Sequence, residues 1–201
     1  MTSSRPLSRS AAGLIVAILA TVVLAADQFV KYLTIEHLPL QQVVPVLGDF
    51  FQLYYVRNPG AAFSLGSGVT WIFTIALAVV AAAIVWKSFA VRSRLWAVVL
   101  GALLGGVLGN LTDRIFREPG FPVGHVVDML SLPWMMPAIF NVADIFIVCG
   151  MIAVALLIVV GLNLDGSRET SESRKNAEST AVTDAPADAP ASDAPRDTSG
   201  T

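Results

Sequence analysis

The stretch Pro137 to Val160, PAIFNVADIFIVCGMIAVALLIVV, decides the class of fold. It is apolar over the length a helix needs to cross a hydrocarbon core about 30 Å thick, roughly 20 residues at 1.5 Å each. It also carries Asn141 and Asp144 near its start. A carboxylate at the middle of a spanning helix costs about 2.5 to 3.5 kcal/mol on insertion scales, and less near an end, so its presence calls for a reason.

Three further apolar runs precede this one, at about residues 11–33, 69–87 and 95–112, with the last at about 139–162. The chain of 201 residues is 55% hydrophobic and only 14% charged, whereas a soluble domain has about a quarter charged residues. Four spanning helices are therefore expected. Run one, with Arg5 and Arg9 ahead of AAGLIVAILATVVLAADQ, has the layout of a cleaved secretory signal. The three later runs favour a retained helix instead, and Asp27 and Lys31, four apart, would share one of its faces.

Lysine and arginine set the expected orientation. Arg5, Arg9, Lys87, Arg92, Arg94, Arg168, Arg174 and Lys175 fall on one side, and Lys31, Arg57, Arg114 and Arg117 fall on the other among acidic residues. Both termini are thus expected in the cytoplasm. Trp86 and Trp96 would lie at the inner boundary, Trp71 and Trp134 near the outer one. Loop 38–67 contains QQVVPVLGDFFQLYYVRNPGAAF, β-branched and aromatic residues bounded by Pro and Gly, so a small sheet on the outer face is expected there. Residues 1–10 are a short cytoplasmic start. Residues 163–201 carry eight acidic and four basic side chains in a Pro/Ala/Ser/Thr-rich background, which predicts a disordered acidic cytoplasmic tail. The body without it has a small positive charge, with no basic, aromatic-interleaved surface for nucleic acid.

The ionisable residues gather at one depth. Asn110 and Asp113 end the third run, Asn141 and Asp144 begin the fourth, Asp27 and Lys31 end the first, and Asp128 lies in the loop before the fourth. Asp27 with Lys31, and Asp113 with Arg114 or Arg57, could serve as ion pairs that hold the bundle together. Two carboxylates close together at a low-dielectric boundary repel, so one binds a proton more tightly. Such a pair suits acid/base attack of water on an amide. Spacing alone leaves open whether Asp113 or Asp128 partners Asp144. Cys149, the single cysteine, excludes an internal disulfide and reads as a small packing residue in mid-span. Ser64 and Ser131 lack a nucleophile elbow, and His37 and His125 stand isolated, which argues against a metal site. A small transporter or proton conductor is the competing class. It would need ionisable residues spread across the membrane. A noncatalytic assembly factor would leave the second aspartate without a purpose.

The motifs ADQFVK (26–31), RNPGAAFS (57–64), GNLTDRI (109–115), GHVVDML (124–130) and FNVADIFI (140–147) together resemble those of the lipoprotein signal peptidases, or signal peptidase II, over about residues 12–160. That resemblance implies a bacterial inner-membrane aspartic protease with four spanning helices. It would remove signal peptides from diacylglyceryl-modified prolipoproteins by cutting before the lipidated cysteine, as a monomer in contact with membrane lipid and without cofactor or metal. It also implies Asp128 and Asp144 as the catalytic dyad near the outer face. Asp27, Lys31, Asn58, Gly60, Asn110, Asp113, Arg114 and Asn141 would support the site or position substrate. Pro59 after Asn58, the long IFREPGFPVGHVV segment before Asp128, and Ile145 after Asp144 depart from the family pattern.

Overall fold

The computed structural model describes residues 6–60 and 69–168. Four helices are long and apolar enough to cross a membrane: α1 (Arg9–His37), α2 (Thr70–Ser88), α3 (Arg94–Phe116) and α4 (Val142–Val159). Ser8 caps α1 by accepting from the Ala11 N–H at 3.1 Å. Only α3 buries most of its residues. It packs against all three other helices, so it is the axis of the bundle.

Small residues let its neighbours approach at backbone distance. A Cβ on Gly105 would lie 2.6 Å from Val23 Cβ of α1, and one on Gly106 would lie 2.6 Å from the Ala143 carbonyl oxygen of α4. Between lipid-exposed helices no water is released by association, so close van der Waals contact of this kind supplies the attraction. The outward faces of α1, α2 and α4 remain apolar and exposed, from Leu14 and Ile18 to Val79, Met151 and Ile158. Cys149 belongs to that outward surface, which corrects its reading as a packing residue.

At one end of the bundle sits a four-stranded antiparallel sheet in the order β1 (Val43–Leu47), β2 (Phe51–Asn58), β3 (Val126–Ser131), β4 (Ile139–Phe140). Hydropathy predicts a sheet from the first long loop alone. Half of its strands come instead from the segment between α3 and α4. Val126–Ser131 is a short apolar run whose strand character shows only when it pairs with β2, with Val56 opposite Asp128 and Asn58 opposite Val126. Because Ile139 and Phe140 pair with Leu130 and Ser131, α4 starts at Val142 rather than at 139.

The other end of the bundle is tied together by residues beyond α4. The Arg92 and Ser93 N–H groups donate to the Leu164 carbonyl at 2.8 and 3.0 Å, and Leu7 N–H donates to Arg92 O at 2.9 Å. Trp96 Nε1–H donates to Leu162 O at 2.9 Å. Trp96 is buried, so it is a packing residue and not part of an interfacial belt. Residues 163–168 are likewise folded, with a bridge between Leu162 and Arg168. The expected tail is shorter by these six residues, and its remainder lies outside the described residues.

Candidate active site

The site forms where the sheet meets the ends of α1 and α3 and the start of α4. Alternation along β3 turns Val126 and Asp128 to one face and Val127 to the other. Asn58, opposite Val126, is the diagonal neighbour of Asp128 across the ladder, and its Nδ2 donates to Asp128 Oδ2 at 2.9 Å. Asn141 Nδ2 donates to Asp128 Oδ1 at 2.6 Å.

Asp144 is placed by helix-end chemistry. Asn141 is the N-cap of α4, its side chain accepting from the Asp144 N–H at 3.0 Å, while Asp144 Oδ2 accepts from the Asn141 N–H at 3.0 Å. This reciprocal box satisfies two donors that a helix start leaves open, and the positive end of the helix dipole favours the carboxylate. Asp144 is therefore the third residue of its helix, closer to the end than an origin at 139 implies. Asn110 Nδ2 of α3 donates to Asp144 Oδ1 at 2.8 Å.

Four amide donors thus hold the two carboxyl groups, one on each oxygen, and each oxygen keeps a lone pair for water or a proton. Asp128 and Asp144 line one cavity of about 410 Å³, together with Asn58, Gly60, Asn110 and Arg114 and with apolar side chains of α2 and α4 such as Phe73 and Ile147. Burial, and then the Asp144 charge, push Asp128 up to about 7 from an ordinary 3.8, against the opposing hydrogen bonds of Asn58 and Asn141.

Lys31 and Asp113 stand behind this layer. Lys31 Nζ reaches Asp27 Oδ2 and Asp113 Oδ2, each at 2.8 Å, and donates to Asn110 Oδ1 at 2.9 Å. All three residues of that ion triad are fully buried, and the ammonium has used its three hydrogens. Asn110 Oδ1 also accepts from Asn141 Nδ2 at 3.1 Å. With its oxygen held by a cation, the Asn110 amide can turn only its NH2 toward Asp144. Asn141 donates to that same Asn110 oxygen, so Lys31 sets the Asn110 and Asn141 amides that face the two carboxyl groups.

Asp27 reaches further, its Oδ1 accepting from the Ala143 N–H at the start of α4 at 2.9 Å. Asp113 also accepts from Val127 N–H at 3.1 Å, tying α3 to β3. The Asp113 partner expected among Arg114 and Arg57 is neither. Besides Lys31, its partner is Arg117, one turn on, at 2.6 Å, while Arg57 pairs with Glu118 at 3.0 Å. Arg114 instead donates to the carbonyls of Asn58 and Gly124 at 3.1 and 3.0 Å, and to that of Gly60. It fastens the turn after β2 to α3, and Asn58 Oδ1 closes the turn on Gly60 N–H at 2.9 Å.

All ten residues singled out from the sequence therefore belong to one connected region. Two were missed. Gln28 Nε2 lies within reach of Asp27 Oδ2, Asp113 Oδ1 and Gly109 O at 3.1 to 3.2 Å, and Arg117 Nη2 donates to Gln28 Oε1 at 3.3 Å. Arg117 was visible as a cation four residues after Asp113. Gln28 stands beside Asp27 in the ADQFVK motif, but its partners across the bundle lie 81 to 89 residues away, so spacing gave no sign of its role. Ser64 lies outside the described residues, and Ser131 ends β3 beside Ile139.

The sequence model of the family described as "Signal peptidase (SPase) II" matches residues 19–160. A lipoprotein signal peptidase of Leifsonia xyli is 48% identical over 84% of this chain and 78% of its own length. One from Rhodococcus jostii is 45% identical over 79% of each chain. One from Mycobacterium tuberculosis is 43% identical over 73% of this chain and 71% of its own. Two solved structures, each described as a bacterial membrane enzyme, share the fold. One has a TM-score of 0.66 at 24% identity over 85% of this chain and all of the other; the second has 0.63 at 26% over 79% and 98%. The transporter reading finds no support among these proteins. With four membrane-capable helices, a family match across all four, and relatives alike over most of their length, this chain is a multi-pass bacterial membrane protein that belongs to the signal peptidase II family.

Proposed function

We propose that this chain is an aspartic endopeptidase that removes signal peptides from diacylglyceryl-modified prolipoproteins, with Asp128 and Asp144 as its dyad. The observation that carries the reading is two carboxyl groups on one cavity, each held by amide donors and neither paired with a cation. The relatives' name, lipoprotein signal peptidase, supports the prolipoprotein as substrate.

In the proposed reaction one carboxylate takes a proton from water as the oxygen attacks the carbonyl carbon before the lipidated cysteine. The other carboxyl, protonated, gives its proton to the carbonyl oxygen. Collapse of the tetrahedral adduct breaks the C–N bond: the proton gained from water passes to the leaving amine, and as the C=O re-forms one hydroxyl returns its proton to the second carboxyl. The apolar side chains of α2 and α4 on the cavity offer a surface for the signal helix. Both termini lie in the cytoplasm and the sheet sits at the outer face, as the lysine and arginine distribution supports. The depth of the charges fits this better than a proton relay. Among the described residues no Asp, Glu, Lys or Arg occurs from 10 to 26, 70 to 86, 95 to 112 or 145 to 164.

The test is cleavage of one prolipoprotein with and without its diacylglyceryl group, by the purified chain in lipid. The modified form is expected to be cut before its cysteine and the unmodified form to be spared. Equal cleavage of both would overturn the substrate assignment, and no cleavage of either would overturn the activity.

The same assay carries a pH prediction. The dyad works with one proton, and the value of about 7 at Asp128 places its loss there, as a property of the coupled pair. kcat/KM is expected to fall as pH rises through about 7. Stability has the same sign: the folded chain binds this proton more tightly than the unfolded chain, so stability declines between pH 3.8 and about 7. Asp128→Asn should remove that decline. A flat rate profile from pH 6 to 9 contradicts the assignment.

A further inference from the structure

The sheet separates two cavities, and the proposed chemistry uses only one. On the face of β2 and β3 opposite Asp128, a second cavity of about 300 Å³ is lined by Tyr55, Arg57, Arg117, Glu118 and His125, with Ile35, Phe116 and Val127 as apolar walls. Its position follows from the same alternation: Tyr55, Arg57 and Val127 point one way, Asn58 and Asp128 the other.

Two guanidiniums face this space. Arg57 uses Nε on the Tyr55 hydroxyl at 3.1 Å and Nη1 on Glu118 at 3.0 Å. Arg117 uses Nε on Asp113 and Nη2 on Gln28. Arg57 Nη2 and Arg117 Nη1 have no partner among the described residues. Neither does the His125 imidazole, which burial and the positive charges of Arg114 and Arg57 hold below its ordinary range. The Arg57–Glu118 pair is exposed on both sides, and such a pair is weak enough to be displaced. Phe116, at the last turn of α3, is the most exposed large apolar side chain among the described residues, and Ile35 lies in the last turns of α1. The cavity therefore opens where two membrane-capable helices end, at the depth of lipid phosphates whichever way the chain is inserted.

We infer that this second cavity binds a phosphate group, that of an anionic phospholipid headgroup, between Arg57 and Arg117. Guanidinium forks match phosphate oxygens with two parallel hydrogen bonds, and the Tyr55 hydroxyl and His125 offer further polar contacts. The acyl chains lie along Phe116 and Ile35. A phosphate held here joins β2 to the end of α3, so occupancy stiffens the sheet that carries Asp128. The inference stands apart from the dyad's chemistry, because none of these side chains touches Asp128 or Asp144.

The test is thermal unfolding of the detergent-solubilised full chain, titrated with short-chain phosphatidylglycerol, short-chain phosphatidylcholine and inorganic phosphate. Phosphatidylglycerol is expected to raise Tm at lower concentration than phosphatidylcholine. R57Q removes a charge-assisted contact and should raise the half-saturating concentration about tenfold. E118Q frees Arg57 from its competing carboxylate and should lower it. Competition by inorganic phosphate, with the same order among the variants, supports the phosphate site and makes the free ion a second ligand. No competition assigns the site to the lipid alone. Equal effects of the two lipids on the unaltered chain, or two variants that titrate like it, would overturn the inference. E118Q changes an exposed residue, so it reports even where R57Q fails to fold.

Discussion

Asp128→Asn and Asp144→Asn are each expected to lower cleavage of a lipid-modified prolipoprotein by at least about 10³-fold while leaving the chain inserted and folded. One positioned acid or base contributes about 10² to 10⁴-fold, and in the proposed reaction these two act on the same water and the same carbonyl. The substitution keeps the size of the side chain. In Asp144→Asn the remaining oxygen can still accept from the Asn141 N–H, and the Asn141 side chain still caps α4 by accepting from the backbone N–H at position 144. In Asp128→Asn the repulsion from the Asp144 charge disappears, which offsets the acceptor that one of the Asn58 and Asn141 amides loses. Turnover within about tenfold of the unaltered enzyme in either variant refutes the dyad.

Lys31→Met should be the most destabilising single change in the bundle. Lys31 is the cation that both Asp27 and Asp113 share at 2.8 Å. Removing one partner of a buried ion set costs about 3 to 5 kcal/mol, since charge remains buried without compensation. For a chain of this size that corresponds to a fall in Tm of about 10 °C. Activity should fall as well, because the Asn110 oxygen loses the ammonium that fixes its orientation and its NH2 no longer faces Asp144 by necessity. Adding Asp27→Asn and Asp113→Asn to Lys31→Met removes the stranded charges and should recover part of the stability but not the activity. A Tm for Lys31→Met within 2 °C of the unaltered chain refutes the role given to the triad.

Asp113 and Asp128 show what the site needed from three dimensions. Both are aspartates near the same end of the bundle, and both are almost fully buried. Asp113 is surrounded by donors: Lys31, Arg117, Gln28 and the Val127 N–H. It does not line the cavity that Asp128 and Asp144 share. Asp128 meets only amides. A saturated carboxylate between two cations is a fastener, and one held by neutral donors can exchange a proton. Spacing along the chain could not separate the two, because all of their partners but Arg117 lie 13 to 85 residues distant.

What the sequence determined by itself is the four-helix character, which follows from apolar length alone because a lipid-facing segment must satisfy its backbone internally. It also placed the polar residues at one level, since burying charge at mid-depth is costly. The motifs named the family. The tertiary structure decided how those residues divide into two carboxyl groups on a cavity and a buried ion triad behind them. It also decided that Val126–Ser131 and Ile139–Phe140 are strands, that Asn141 and Asp144 form a helix cap, and that residues 163–168 fold against the α2–α3 turn. Each of these depends on pairing between distant segments, and a short strand or a helix end has too few residues for its local pattern to reveal its partner.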